Sequence, residues 1–595
     1  MRNSSFSRRL RSLSRLLAGA SISLIVVACA TAQRPLAEFD GNRLRHHAGD
    51  DDLLTAGLGL EGLRQPPRLP ADRDAPDPAE LRRVAIHANY GGLVDLTPTG
   101  GLESGDLPAV PGREMHAWVR LPGRSDPARV AVLIPDALDT DEPCLVVAPS
   151  SGSRGVFGGL PVAGPWALPR GCALALTDKG TGTDLFDHAS DTGVTLDGTR
   201  AERGAATLGL EPAPVDAAWV SIPHAHSGDH PEADWGRYTI EAAHFGLQAL
   251  RELWPDPARP MPEARVIALG LSNGGGAVLR ALEQAPPGLF DAAVVGAPNV
   301  TPPGARPLYD YATEAALFQP CVLGDPAALA GLPFANPMLI GPGRARCESL
   351  AKVGLLDRAE PAAARTVLEA GGFDSDALEQ VAVNTSIDVW RAVVALYASA
   401  YLRTPVDAMP CGYATGVRGS DGARLAAPAA QRNLWWARTS GVVPGGGVEW
   451  FDGRADQHPD DKDFGGLVCL RELWTGDGED ARALRRAVEA TRATARLPDV
   501  PVIVIHGRQD GLIPASFSAR PYVAAAREAG AEALVYWEID GAQHFDSLVP
   551  FPGMNTRYRP LLPYVWDALD RIDTVLDGEA VLGGDRIIDA ISDRE

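Results

Sequence analysis

Short apolar runs alternate with amphipathic stretches along the chain from Leu81 to residue 300. Met115–Leu121, Val130–Pro135, Cys144–Pro149, Ala173–Thr177, Val266–Leu269 and Ala292–Gly296 are β-prone and mostly apolar, as strands buried on both faces are. Between them, Tyr238–Trp254 and Ala277–Ala285 have helical periodicity. The alternation predicts a mostly parallel sheet covered by helices on both sides. It lapses from about Thr301 to Asp499, a loop-rich region with helices predicted at 361–370, 377–401 and 481–495 and an aromatic cluster at Trp435-Trp436 and Trp450-Phe451. Strands return at Val500–Ile505 and Leu534–Ile539, and a helix at Tyr564–Val575 leads into a weakly structured tail. The expected organisation is one core, residues 81–300 and 500–595, with residues 301–499 inserted as a cap. An independent domain is the other reading of 301–499. Residues 33–80 are polar, with prolines from Pro66 to Pro78, and read as a partly ordered lead-in.

The first 32 residues read as a signal peptide. Arg8, Arg9, Arg11 and Arg15 precede an apolar run, Leu16 to Ala28, too short to span a bilayer comfortably. Two exits are open. Val26-Val27-Ala28-Cys29 resembles a lipobox, which would lipidate Cys29; Ala30-Thr31-Ala32 is a small-x-small cleavage site. Either implies an exported protein, periplasmic or extracellular, touching a membrane only through an N-terminal lipid. The formal charge of −21 with only three lysines repels nucleic acid. Six further cysteines, Cys144, Cys172, Cys321, Cys347, Cys411 and Cys469, are an even number, which in an exported chain points to disulfides. Cys144 and Cys172 each open a predicted strand and would meet if those strands are neighbours; small buried core residues are the other reading. His224, His226 and His230 stand close together, but their spacing has no helical or strand logic for a metal. No metal or cofactor is expected.

Val266-Ile267-Ala268-Leu269 runs into Gly270-Leu271-Ser272-Asn273-Gly274, and a helix leads out. Gly-x-Ser-x-Gly between a strand and a helix is a nucleophile elbow, which makes Ser272 a candidate nucleophile. A serine needs a histidine base and a carboxylate to orient it. In the α/β-hydrolase chain order these follow the serine, and Asp510 and His544 each lie just past a predicted core strand. Asp540 and Asp546 compete for the acid, but share the His544 loop. The oxyanion hole is expected from the backbone N–H groups of Asn273 and Ser151. The fold class is therefore α/β, an α/β-hydrolase core with a large inserted cap.

Several longer motifs narrow this. Thr177-Asp178-Lys179-Gly180-Thr181-Gly182-Thr183, His224-Ala225-His226-Ser227 with Ala233-Asp234-Trp235-Gly236, and Ser272-Asn273-Gly274-Gly275-Gly276 come first. His506-Gly507-Arg508-Gln509-Asp510 and Gln543-His544-Phe545-Asp546 follow. In that order they resemble the D-(−)-3-hydroxybutyrate oligomer hydrolase family, across roughly residues 115–575, although the cap is shorter than that family's. The resemblance implies a carboxylesterase for a small-molecule ester substrate, dimers and short oligomers of 3-hydroxybutyrate, with Ser272 as its serine. Such a substrate ends in a carboxylate, for which Arg154 or Lys179 is the candidate contact. A tannase- or feruloyl-like esterase, a short-peptide serine peptidase, and a non-catalytic exported binding protein on a hydrolase scaffold remain as alternatives.

Overall fold

Ten strands form one sheet in the computed structural model, which describes residues 39–589 apart from 104, 216–218, 257, 334–335 and 440–448. The signal peptide expected over residues 1–32, with Cys29, lies outside the described residues. In chain order the strands are β1 (Phe39–His47), β2 (Gly112–Val119), β3 (Ala128–Pro135), β4 (Cys144–Pro149), β5 (Ala173–Thr177) and β6 (Arg265–Leu271). β7 (Ala292–Gly296), β8 (Val502–Gly507), β9 (Leu534–Ile539) and β10 (Arg586–Ile588) complete the set. Their spatial order is β1-β2-β3-β5-β4-β6-β7-β8-β9-β10. β1, β2 and β3 pair antiparallel, β3 pairs antiparallel with β5, and every pair from β5 to β10 is parallel.

The uniform apolarity of the middle strands follows from burial on both faces, with period-2 sorting. Val146, Ala148, Ile267, Leu269, Ile503 and Ile505 face one core, under helices α1 (Pro78–Leu93) and residues 160–167. Leu145, Val147, Val266, Ala268, Val502 and Val504 face the other, under α2 (Pro231–Glu252) and α3 (Asn273–Gln284). This is the α/β-hydrolase fold, with the elbow at the junction of β6 and α3.

The lead-in expected over residues 33–80 is instead largely part of the core. β1 is the edge strand of the sheet, and its mostly exposed, charged sequence, usual for an edge, hides it from an apolar-pattern reading. Leu53 and Leu54 are fully buried. The proline-rich stretch ends in a capping box, in which the Asp77 side chain accepts from the Ala79 N–H and Glu80 reaches back to the Asp77 N–H, so α1 starts at Pro78. β10 likewise adds order to the predicted tail.

Between β7 and β8 lie α4 (Leu308–Val322), α5 (Val389–Leu402) and further helices, with a three-stranded sheet of residues 413–418, 424–425 and 449–452. The single helix predicted over 377–401 is two, 375–386 and α5, broken where Asp388 takes φ 59°. The apolar core of this region takes in Ile513 and Phe517 from the turn after β8, so it is continuous with the sheet domain. A small four-stranded sheet over residues 186–221 sits between β5 and α2; its strands of two or three residues carry no periodic signal.

Cys144 and Cys172 flank the adjacent strands β4 and β5 and are bonded, as are Cys321–Cys347 and Cys411–Cys469 in the cap region. Non-reducing peptide mapping is expected to recover these three pairs. Replacing Cys411 and Cys469 together by serine is expected to lower the unfolding free energy by about 2–4 kcal/mol in a denaturant titration, and an unchanged midpoint would contradict it.

Candidate active site

The elbow is built by steric necessity. β6 ends at Leu271 and α3 starts at Asn273, so Ser272 alone makes the turn, at φ 58° and ψ −122°. A side chain rarely adopts that conformation, at a cost of about 1–3 kcal/mol. The Ser272 N–H donates to the Gly296 carbonyl at 2.9 Å, and its own carbonyl accepts from the N–H groups of Gly276 (3.1 Å) and Asn299 (2.9 Å). A Cβ on Gly270 would lie 2.3 Å from the Gly274 carbonyl oxygen, and one on Gly276 would lie 1.9 Å from that of Asn299. Both glycines are therefore required for the close crossing.

Ser272 Oγ lies 2.9 Å from His544 Nε2, and His544 Nδ1 lies 2.7 Å from Asp510 Oδ2. The other Asp510 oxygen accepts from the N–H groups of Leu512 (2.9 Å) and Ile513 (2.8 Å). His506 Nε2 stands 3.4 Å from Asp510 Oδ2, the same oxygen that His544 meets. Burial alone would raise the Asp510 carboxyl, but His544 and His506 together hold it well below the usual carboxylate range. The competing acids are committed elsewhere: Asp546 accepts from the N–H groups of Leu561 and Leu562, and Asp540 takes Arg508 and Gln509. The three predicted residues thus form one hydrogen-bonded chain. A hydroxyl, an imidazole and an ionised acid in series can move a proton off the serine and return it to a leaving group.

Ser272 and His544 open into a cavity of about 390 Å³ whose lining is mainly apolar and aromatic. Leu396 and Tyr397 of α5, Trp435 and Trp450 reach it from the cap region, and Phe545 from the core. The Asn273 side chain donates to the Tyr397 hydroxyl at 3.3 Å and accepts from Asn299 at 2.9 Å, so the cap region touches the residue after Ser272. Asn273 is the first residue of α3, where backbone N–H groups have no helical partner and point at the site.

The loop after β4 departs from expectation. Ser151 lines the cavity, but its N–H donates to the Gly158 carbonyl at 3.3 Å, so the anticipated second oxyanion donor is committed. Gly152, next along at φ 60°, also lines the cavity.

Lys179 is not a substrate contact. It is fully buried and donates to Ser150 Oγ (2.7 Å), the Gly152 carbonyl (2.6 Å) and Thr181 Oγ1 (3.1 Å), which clamps this loop from beneath. The position gave no hint of this, because a lysine next to glycines reads equally as an exposed turn. Arg154 does line the cavity; its guanidinium donates to the Gly92 carbonyl at 3.2 Å and faces Asn89 Oδ1 at 3.5 Å, with no ion pair among the described residues. Burial pushes it down to about 10, so it stays cationic at neutral pH.

The three clustered histidines have separate partners. His224 bonds Ser153 and Glu232, His226 accepts from the Ile222 N–H through Nδ1, and His230 meets the Ala487 carbonyl. Among the described residues, no group of His, Cys, Asp and Glu could hold a metal ion. Sequence reasoning missed His506, Tyr397 and Glu232 as site residues; each acts through a contact formed only when distant segments meet.

A family model described as 3HB-oligomer hydrolase (3HBOH) matches residues 39–592. The D-(−)-3-hydroxybutyrate oligomer hydrolase of Paracidovorax citrulli is 36% identical over 617 residues, covering 90% of this chain and 86% of its own. The protein of the same name from Burkholderia lata is 34% identical, covering 96% and 93%. Among solved structures, an esterase from Aspergillus oryzae aligns at 13% identity and a TM-score of 0.34, over 86% of this chain and 80% of its own.

Two outcomes follow from this geometry. A fluorophosphonate probe should label the protein, and Ser272→Ala should lose the label; a label that persists would place the nucleophile elsewhere. The second concerns Lys179, which burial pushes down to about 7 against the opposing pull of Asp178 and Glu232. An unfolded lysine holds its proton to about 10.4. Between about pH 7 and pH 10 the unfolded chain therefore binds a proton that the folded chain does not, and this site adds stability as pH rises. Melting curves of wild type and Lys179→Met should diverge in favour of wild type from pH 7 to pH 9.5; parallel curves would contradict the assignment.

Proposed function

The chain belongs to the 3HB-oligomer hydrolase family, and on that premise we propose that it is an exported serine esterase cleaving the ester bonds of 3-hydroxybutyrate dimers and short oligomers. The observation that carries the mechanism is the Ser272–His544–Asp510 chain opening into a cavity with one unpaired arginine. His544 takes the Ser272 proton as the oxygen attacks the ester carbonyl, and the Asp510 carboxylate stabilises the imidazolium that forms. The N–H groups of Asn273 and Gly152 receive the oxyanion. His544 then protonates the departing hydroxy-acid alcohol, and water, deprotonated by the same histidine, releases the acyl group.

The apolar lining suits the methyl-branched chain, and Arg154 suits its terminal carboxylate. An arginine whose neighbours are carbonyl oxygens keeps its charge available for a ligand, and a buried charge gains most from a charged partner. Export is supported by the arginine-led apolar run at residues 8–28 and by three disulfides, which belong to oxidising compartments. A mass measurement of the mature N-terminus would separate lipidation at Cys29 from cleavage after Ala32.

Hydroxybutyrate dimer and trimer, aromatic esters and short peptides, offered as a panel, test the substrate. Turnover of aromatic esters without the dimer would overturn the reading. Ser272→Ala and His544→Ala are each expected to lower kcat by about 10⁴-fold or more. Arg154→Leu should raise KM for the dimer by about 10- to 100-fold while shifting its methyl ester far less, because only the free acid carries the charge. Equal losses on both would remove the carboxylate role.

A further inference from the structure

The same cavity holds a second serine–histidine–acid chain. Ser153 lines the cavity, half-buried, and its Oγ lies 2.5 Å from His224 Nδ1. His224 Nε2 lies 3.0 Å from Glu232 Oε1, and the other Glu232 oxygen accepts from the Tyr401 hydroxyl at 2.8 Å. His224 is fully buried and Glu232 nearly so. The rings of Tyr397 and Trp235 pack edge-on to the imidazole at 5.0 and 6.4 Å and fix its plane. Burial pushes the Tyr401 phenol well above its ordinary value, so it keeps its proton and donates.

With the His224 Nε2–H donated to Glu232, Nδ1 is left to accept the Ser153 hydroxyl proton. Ser153 therefore has no proton left for the cavity and presents its oxygen lone pairs. It is an acceptor in search of a donor, set in a mainly apolar wall.

The position of Ser153 says which donor. It is one residue beyond Gly152, so the two Cα atoms are about 3.8 Å apart. A carbonyl oxygen held at Gly152 and Asn273 brings the ester within reach of Ser153 in the same cavity, and we assign the acyl chain to that side. The acyl half of a 3-hydroxybutyrate ester carries its hydroxyl on the second carbon from that carbonyl. We propose that Ser153, held by His224, Glu232 and Tyr401, accepts the hydrogen bond of the 3-hydroxyl group on the acyl half of the substrate, so that the enzyme selects 3-hydroxyacyl esters over plain acyl esters. Ser153 touches the substrate; His224, Glu232 and Tyr401 position it. The proposal deepens the esterase reading above and rests on it, with Arg154 on the carboxylate half and Ser153 on the hydroxyl half.

The test compares p-nitrophenyl 3-hydroxybutyrate with p-nitrophenyl butyrate, which differ by that hydroxyl alone. Wild type should favour the hydroxylated ester in kcat/KM by roughly tenfold, the loss expected when one hydrogen-bonding group is left unpaired. Ser153→Ala should bring the ratio close to one, and His224→Gln should reduce it in the same direction. A purely structural role would lower both rates and leave the ratio as it was. That outcome overturns the proposal, as does a wild type without preference or a Ser272→Ala variant still acylated at Ser153. Failure to cleave the hydroxybutyrate dimer while the hydroxyl preference and its loss in Ser153→Ala both hold would sink the oligomer reading and leave this one standing.

Discussion

A single residue in a disfavoured conformation, Ser272 at φ 58°, is the constraint on which the rest of the site depends. The strain persists because β6 is fixed on both sides by parallel neighbours, β4 and β7, and α3 has nowhere else to start. Three backbone hydrogen bonds to Ser272 hold the crossing, and glycines clear the space around it. The other two members of the chain, Asp510 and His544, then need only follow the carboxyl ends of β8 and β9. The sheet brings those ends together on one side, where ligands of such sheets bind.

The second principle is that each buried charge has been given donors or acceptors, which commits it to one job. Asp510 has two backbone N–H groups and two imidazoles; Lys179 has two side-chain hydroxyls and a carbonyl; Glu232 has an imidazole and a phenol. Arg154 differs from Lys179 in lining the cavity while its partners are neutral oxygens. In a polar-satisfaction account that is where a charged ligand belongs.

Much of the candidate site was legible in the sequence because its signals are local. Ser272 lies in a strand–turn–helix, and Asp510 and His544 each follow an apolar run whose boundaries the structure keeps within two residues. The parts that were not legible depend on meetings between distant segments. β1 looks polar because it is an edge; Lys179 looks like a substrate contact because its burial under Trp235 is tertiary, with its ammonium 5.2 Å from that ring's centre. Ser151 was a reasonable donor by loop position, but the carbonyl of Gly158, seven residues on, had already claimed its N–H. The histidine cluster misled in another way. The spacing of its three histidines says nothing about Ser153, which is 71 residues from His224.

The loop after β4 shows why these distant contacts matter for chemistry. An oxyanion donor is useful only if it is already aimed when charge develops, since reorientation at that moment would cost the stabilisation it provides. A loop of serines and glycine has little stiffness of its own. Here it is pinned from three directions: by Lys179 at the Ser150 side chain and Gly152 carbonyl, by His224 at Ser153, and by Arg154 reaching back to Gly92. The His224 pin reaches the cap region by two routes: His224 is held by Glu232, which in turn holds Tyr401 of α5, and Ser399 of α5 donates to the carbonyl of the adjacent Ala225. The cap region is therefore part of what orders the loop after β4. Its helix α5 touches the cavity wall through Tyr397 and the loop's support through Tyr401, one turn apart on the same helix face. A change in α5 that alters what enters the cavity would also alter how firmly the loop is held, so specificity and rate are coupled through one helix.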